Sequence, residues 1–347
     1  MRALVSAPKD LKCRKRFKSL FQDFNVVSIC KKISFFQWNH LTHICDELRE
    51  SGNGLIPGIS REIILQKEIS LPPLAEQQRI VDRIESLFAK LDQAKELVQD
   101  GLDSFETRKA AILHKAFTGE LTAKWREEHG LGIDSWRENK LGQLLRPMIT
   151  CKPDKSYEYF YYIDIDTLDN KTQTVKEAKK IPVSNAPSRA SRGLESGNVL
   201  FSLVRPYLKN IAVINEEFSH CIASTGFYVC RCNDSLSSYF LYYLLISQDT
   251  INYYTSYMKG DNSPSIRKGD FEGLKVMLPS LPEQQEIVSI LDSLFEKEKQ
   301  GKELLVGILE KIDLIKKAIL ARAFRGELGT NDPAEESAIE LLKECLQ

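Results

Sequence analysis

Leu278-Pro279-Ser280-Leu281-Pro282-Glu283-Gln284-Gln285 opens a stretch that closes at Ala323-Phe324-Arg325-Gly326-Glu327-Leu328, and the chain carries that stretch twice. The earlier copy opens at Leu71-Pro72-Pro73-Leu74-Ala75-Glu76-Gln77-Gln78 and closes at Ala116-Phe117-Thr118-Gly119-Glu120-Leu121. Glu76 falls on Glu283, 207 residues on, and the offset holds to the end without a gap. Roughly half of the aligned positions are identical. A solenoid needs three or more units at short period. One distant repeat points instead to a duplicated module with a domain between its copies.

Each copy reads as one long helix. Pro72, Pro73 and Pro282 stand where a helix can start, because proline presets φ and its missing N–H is unpaired there anyway. Gly119 and Gly326 stand where one ends. In the first copy Ile80, Ile84, Leu87, Leu91, Ala94, Val98, Leu102 and Phe105 recur in steps of four and three, a heptad seam with one slip. The second copy gives Ile287, Leu291 and Leu294, then Leu305, Ile308, Ile312, Ile315 and Ile319, with a break at Glu298 and Gly301. A helix of about 40 residues extends about 60 Å and cannot bury such a stripe alone. Each helix against the other is the economical solution. A pseudo-twofold axis perpendicular to them makes the pair antiparallel.

The 347 residues allow two or more domains, and 42% hydrophobic with 28% charged is a globular composition. No run of eighteen apolar residues predicts a membrane span. The basic segment Lys12 to Lys18 lacks the apolar core of a secretory signal. The eight cysteines are scattered, which fits reduced thiols in the cytoplasm. Formal net charge is zero, but residues 171–209 hold eight basic side chains against two acidic ones. That local excess fits either a solvated loop or an anionic partner.

Five segments follow. Residues 1–71 hold too little material for an independent core. Residues 72–132 are the first long helix and a linker. Residues 133–278 are the main globular domain, residues 279–330 the second long helix, and residues 331–347 a helical tail started by Asp332-Pro333. Within the globular domain strands are expected at Tyr159–Ile165, Val199–Val204, Ile211–Ile214, Phe227–Cys230 and Leu274–Leu278. Helices are expected at Tyr239–Ser247 and Asp249–Met258. Strands first and helices late make this an α+β fold, one domain with a curved mixed sheet beside a coiled-coil-like helix pair.

Candidate chemistry is sparse. His40, His43 and Cys45 could approach a metal but lack a fourth ligand. Asp154, Glu177 and Lys179 follow a loose metal-dependent nuclease pattern, in which carboxylates hold a divalent ion beside a lysine. There is no phosphate-binding glycine loop of Walker type. Binding residues are better represented. Arg189 and Arg192 flank serines, and Arg205-Pro206-Tyr207 follows a strand directly. Arginine offers a two-pronged donor to guanine or phosphate, and serines serve phosphates. Arg205 could equally hold a turn. Tyr157, Tyr159, Tyr161 and Tyr162 read as packing residues before stacking ones.

These motifs resemble the specificity subunit of type I restriction–modification enzymes. Leu71 to Ile80 and Leu281 to Ile287 look like the starts of that family's two conserved helices, and Phe117 to Leu121 and Phe324 to Leu328 like their ends. Tyr162-Ile163-Asp164-Ile165, Ala186 to Ala190, Gly197 to Ser202, Val204-Arg205-Pro206 and Ala223 to Phe227 look like its target-recognition domain. The resemblance implies a non-catalytic subunit that reads one part of a bipartite site in double-stranded DNA. It implies Lys155, Lys179, Lys180, Arg189, Arg192, Ser202, Arg205, Tyr207, Lys209, Ser224 and Thr225 as DNA contacts. It also implies that the helices dock methyltransferase subunits, with Glu76, Gln77, Gln78, Phe117, Glu283, Gln284, Gln285 and Phe324 as the docking residues. A restriction and translocase subunit completes such complexes. S-adenosylmethionine, ATP and magnesium are then expected on the partners, with no cofactor or metal on this chain. Residues 38–71 look like the final part of a first recognition domain, so that domain is expected to be truncated. Self-association of two chains, which would restore two recognition domains, stays open at this point.

Overall fold

The computed structural model describes residues 72–329 and 333–334. These fall into two compact units, one holding residues 72–102 with those from 303 onward, the other residues 103–302. Both long helices contribute to both units. The segments 1–71 and 331–347, apart from the turn at 333–334, and the candidate ligands His40, His43 and Cys45 lie outside the described residues.

Helix α1 spans Leu74–Phe117 and is 44 residues long. A short helix α2, Ala123–Glu128, follows it. The chain then enters the sheet domain through β1 (Arg137–Lys140) and β2 (Leu145–Arg146). Next come β3 (Tyr159–Ile163), the small hairpin β4 (Leu168–Asp169) and β5 (Thr174–Val175), and β6 (Lys179–Pro182). Strands β7 (Ala190–Gly193), β8 (Val199–Ser202), β9 (Ile211–Val213), β10 (Ile222–Ser224) and β11 (Phe227–Cys232) complete the sheets. Helices α3 (Ser238–Ile246), α4 (Gln248–Ser256) and α5 (Lys268–Glu272) lead to β12 (Lys275–Leu278). Helix α6, Leu281–Phe324, is again 44 residues.

The domain holds two four-stranded sheets where the sequence suggests one. The order β6-β3-β10-β7 is mixed, with β3 and β10 parallel, whereas β2-β11-β8-β9 is antiparallel. Alternation along the central strand β8 explains the layering. Val199 and Phe201 face a core built with Phe240, Leu241 and Tyr254 of α3 and α4. Leu200 faces the other way, into a core shared with Ile163 of β3 and Ala223 of β10. The antiparallel sheet is thus sandwiched between helices and the mixed sheet. β1 and β12 pair antiparallel, Arg137 opposite Leu278, so the domain's two ends lie side by side.

The long helices run antiparallel in each unit. In the first, Lys316 pairs with Asp92 and Lys95 approaches Asp313 at 3.9 Å. In the second, Arg108 pairs with Glu298 at 3.1 Å, and Gly301 abuts the ring of Phe105. The expected break at Glu298 and Gly301 therefore leaves α6 unbroken, bridged by an ion pair and a ring over a glycine. All eight expected seam residues of α1 are buried or half-buried. In α6 the seam differs, because Ile308 is 40% and Ile315 47% exposed. It runs instead through Leu305, Leu309, Ile312 and Lys316, the repeat equivalents of Val98, Leu102, Phe105 and Lys109. A lysine can fill a seam position with its methylene stem. Lys316 stands 5.2 Å from the Phe88 ring centroid, and its equivalent Lys109 stands 5.6 Å from Phe295. Burial pulls the Lys109 ammonium below the ordinary lysine range, with Glu106 opposing.

Candidate DNA-recognition surface

The glutamate–glutamine pairs at the helix starts are internal. Glu283 is fully buried and accepts hydrogen bonds from Thr122 Oγ1 at 2.8 Å, Arg126 Nη1 at 2.6 Å and Trp136 Nε1 at 2.9 Å. Gln284, also buried, donates to Ser235 O and Pro279 O and accepts from Ser237 N. Glu76 and Gln77 are 1% and 3% exposed, and Gln77 Nε2 donates to Pro72 O at 2.7 Å. These four residues are joints inside the molecule, which corrects their reading as a docking surface. Phe117 packs edge-on to Phe240, and Phe324 packs against the core of Ile80, Ile84 and Leu320. Of the expected docking residues, Gln78 and Gln285 are exposed.

The expected DNA contacts divide into three groups. Ser202 and Ser224 are 2% and 0% exposed. Ser202 Oγ donates to Val204 O, and Ser224 Oγ accepts from Gly226 N. Both hold turns and offer nothing to a ligand, a correction that follows from their places at the ends of β8 and β10. Lys179 is exposed but pairs with Asp166. Lys176, from the same basic stretch, is matched by Asp169 at 3.8 Å. The excess of positive charge is therefore partly neutralised from outside the stretch by Asp166 and Asp169.

The third group stays available. Lys155, Lys180, Arg189 and Arg205 are exposed, and Tyr207 is 46% exposed. Lys180 on β6 lies 4.7 Å from the ring of Tyr159. Tyr157, Tyr159 and Tyr161 are themselves exposed, at 68%, 41% and 44%, so only Tyr162 of the four packs as expected. Thr225 is half-buried, with its N–H donating to Arg189 O. Arg192, on β7, is half-buried with its Nε lacking a partner.

Arg205 and Lys209 bracket one turn of 3-10 helix, Pro206–Leu208, and both have left-handed backbones, φ 48° and 52°. A side chain with Cβ makes that conformation costly, by roughly 1–2 kcal/mol each. Arg205 N–H donates to Pro264 O and its Nη2 to Asn262 O, each at 2.8 Å. Arg205 therefore does hold a turn, while the rest of its guanidinium remains exposed. Lys209 Nζ reaches Gln248 Oε1 at 3.3 Å.

The nuclease alternative finds no support. Asp154 Oδ1 accepts from Ser156 N in a local turn, and Lys179 is engaged by Asp166. Among the described residues no group of three or more His, Cys, Asp or Glu side chains could hold a metal ion. Nor is any described helix long and apolar enough to cross a membrane.

Comparison with known proteins addresses the resemblance directly. The family described as type I restriction modification DNA specificity domain matches residues 14–99 and 134–306. The first match takes in much of the N-terminal stretch that the motifs leave unassigned. The specificity subunit of type I restriction enzyme EcoDI of Escherichia coli is 22% identical over 342 residues, 92% of this chain and 76% of that protein. The EcoKI specificity subunit of Escherichia coli K12 is 25% identical and covers 77% of this chain, which spans 59% of that protein's length. The HsdS subunit from Thermoanaerobacter tengcongensis is 33% identical over 52% of this chain and 47% of its own, with a TM-score of 0.49. With the family matched over well more than half of its length, the chain belongs to the type I restriction–modification DNA specificity family.

Proposed function

We propose that this chain gives a type I restriction–modification complex its DNA sequence specificity, with the sheet domain reading one part of a bipartite target. The observation that carries the reading is the family match, which covers that whole domain and continues into α6. Lys155, Lys180, Arg189 and Arg205 have no carboxylate partner among the described residues and support it, since phosphate neutralisation needs charge that the protein has not already matched. Methyltransferase subunits dock on the helix pair, and a restriction and translocase subunit completes the assembly. Leu97 and Leu304, equivalent in the repeat and 72% and 70% exposed, supply the apolar surface that docking needs where the buried glutamates cannot. S-adenosylmethionine, ATP and magnesium belong to the partners.

The test is to express the chain with its methyltransferase and sequence the host's modified adenines. A defined motif that disappears when the chain is omitted is the expected result. Methylation without a motif, or a motif unchanged by omission, would end the proposal.

A further inference from the structure

A cleft of about 410 Å³ opens on the sheet domain, lined by Asp164, Asp166, Asn170, Arg189 and Asn210 among others. It gathers three separate segments: the end of β3, the loop before β7 and the residue before β9. Arg189 is exposed and makes no side-chain hydrogen bond or ion pair among the described residues. Asp164 is half-buried; its Oδ1 accepts from Ile165 N, and no cation neutralises it within 4.0 Å among the described residues. Asn210 is 7% exposed and lines the cleft. Close by, burial raises the Tyr162 phenol above the ordinary tyrosine range, with Ser224 and Arg189 opposing and Asp164 adding to it.

Polar groups at the edge of a cleft that no protein partner satisfies are available to a ligand, and Arg189 is such a group. A phosphate is a poor occupant, because two carboxylates line the cleft and Asp166 already consumes Lys179. A neutral edge offering both acceptors and a donor suits it better. In the major groove a G·C pair presents guanine O6 and N7 as acceptors and cytosine N4 as donor. A guanidinium beside a carboxylate is the complement of that edge.

We infer that Arg189 and Asp164 together read one G·C base pair of the target, Arg189 donating to guanine and Asp164 accepting from cytosine N4, with Asn210 as a positioning residue in the same cleft. This rests on the proposed DNA-reading function and adds which residues carry specificity, as distinct from affinity.

Selection from a randomised duplex library by the full chain, at one salt concentration, tests it. The wild type enriches a motif containing a G·C pair. Asp164→Asn, which keeps an oxygen to cap Ile165 N, and Arg189→Ala, which removes the donor to guanine, each erase the preference at that same pair. The expected loss of discrimination is roughly 5- to 150-fold, with the remaining motif positions kept and the thermal unfolding midpoint unchanged. If both variants enrich the wild-type motif, the inference fails and the DNA-reading function stands. If Arg189→Ala weakens all sequences equally and only flattens the salt dependence, Arg189 is a phosphate contact and the inference is equally overturned. A wild-type chain that enriches no motif overturns the DNA-reading function and this inference with it.

Discussion

Glu283 and Glu76 occupy equivalent places in the repeat, both buried at the start of a 44-residue helix, yet they are held differently. Around Glu283 the segment that follows α1 supplies a hydroxyl, a guanidinium and an indole N–H. At the other site the repeat equivalent of Thr122 is Gly329, and that of Arg126 is Pro333, neither with a side-chain donor. Gly329 lies so close to the carboxylate that an added Cβ would overlap Glu76 Oε1. Arg79, one helical turn on, pairs with Glu76 from its own helix. A buried glutamate is thus a common socket: at Glu283 the segment that follows α1 supplies its partners, and at Glu76 Arg79 of the same helix supplies one.

Removing the carboxylates gives the largest expected contrast. Glu283→Ala leaves Arg126 buried without its counter-charge and should cost about 3–5 kcal/mol in urea unfolding. For Glu76→Ala the share of the loss that comes from Arg79 should be smaller, because that side chain is 38% exposed and remains hydrated. Equal losses at the two sites would erase the distinction. A smaller effect is expected at the close approach: Gly329→Ala should destabilise by about 1–3 kcal/mol, as overpacking does. A neutral result would show that Glu76 does not sit against Gly329 in solution. The smallest effect tests what the two sites share. Lys109→Ala and Lys316→Ala each remove a cation from over a phenylalanine, worth about 0.5–1 kcal/mol apiece, and Lys316→Ala also removes the exposed ion pair with Asp92, worth up to about 1 kcal/mol more. A gap between the two larger than that would mean that geometric equivalence is not energetic equivalence.

The helices were legible because their signal is periodic and local. The α1 seam follows from spacing alone, and the α6 seam would have followed too had the 207-residue offset been applied to Val98, Leu102 and Phe105 instead of a strict heptad. The clamp was not legible. Glu283 finds Trp136 147 residues away, and a glutamate at a helix start reads locally as a surface group suited to the helix dipole. Strands β6, β7 and β10 also escaped, being three or four residues long, too short for an alternating pattern, and in β6 and β7 polar or proline-bearing as well, so that pairing across the sheet outweighs their own propensity. The lysines and arginines of the recognition surface were found by residue type. Their sorting into free, paired and turn-holding side chains needed Asp166 beside Lys179, and Asn262 and Pro264 beside Arg205, which only the fold brings near.

The pairing of β1 with β12 has a consequence for ancestry. The sheet domain begins and ends on one two-stranded ladder, so its termini are neighbours. Neighbouring termini let a domain be inserted into, or exchanged within, a host structure at little cost. Any other reader ending in the same ladder, and carrying Trp136 and Glu283 at its margins, would meet the helices in the same way. Recombination at this hinge point could then change which DNA is addressed in a single event, with the helical scaffold inherited intact.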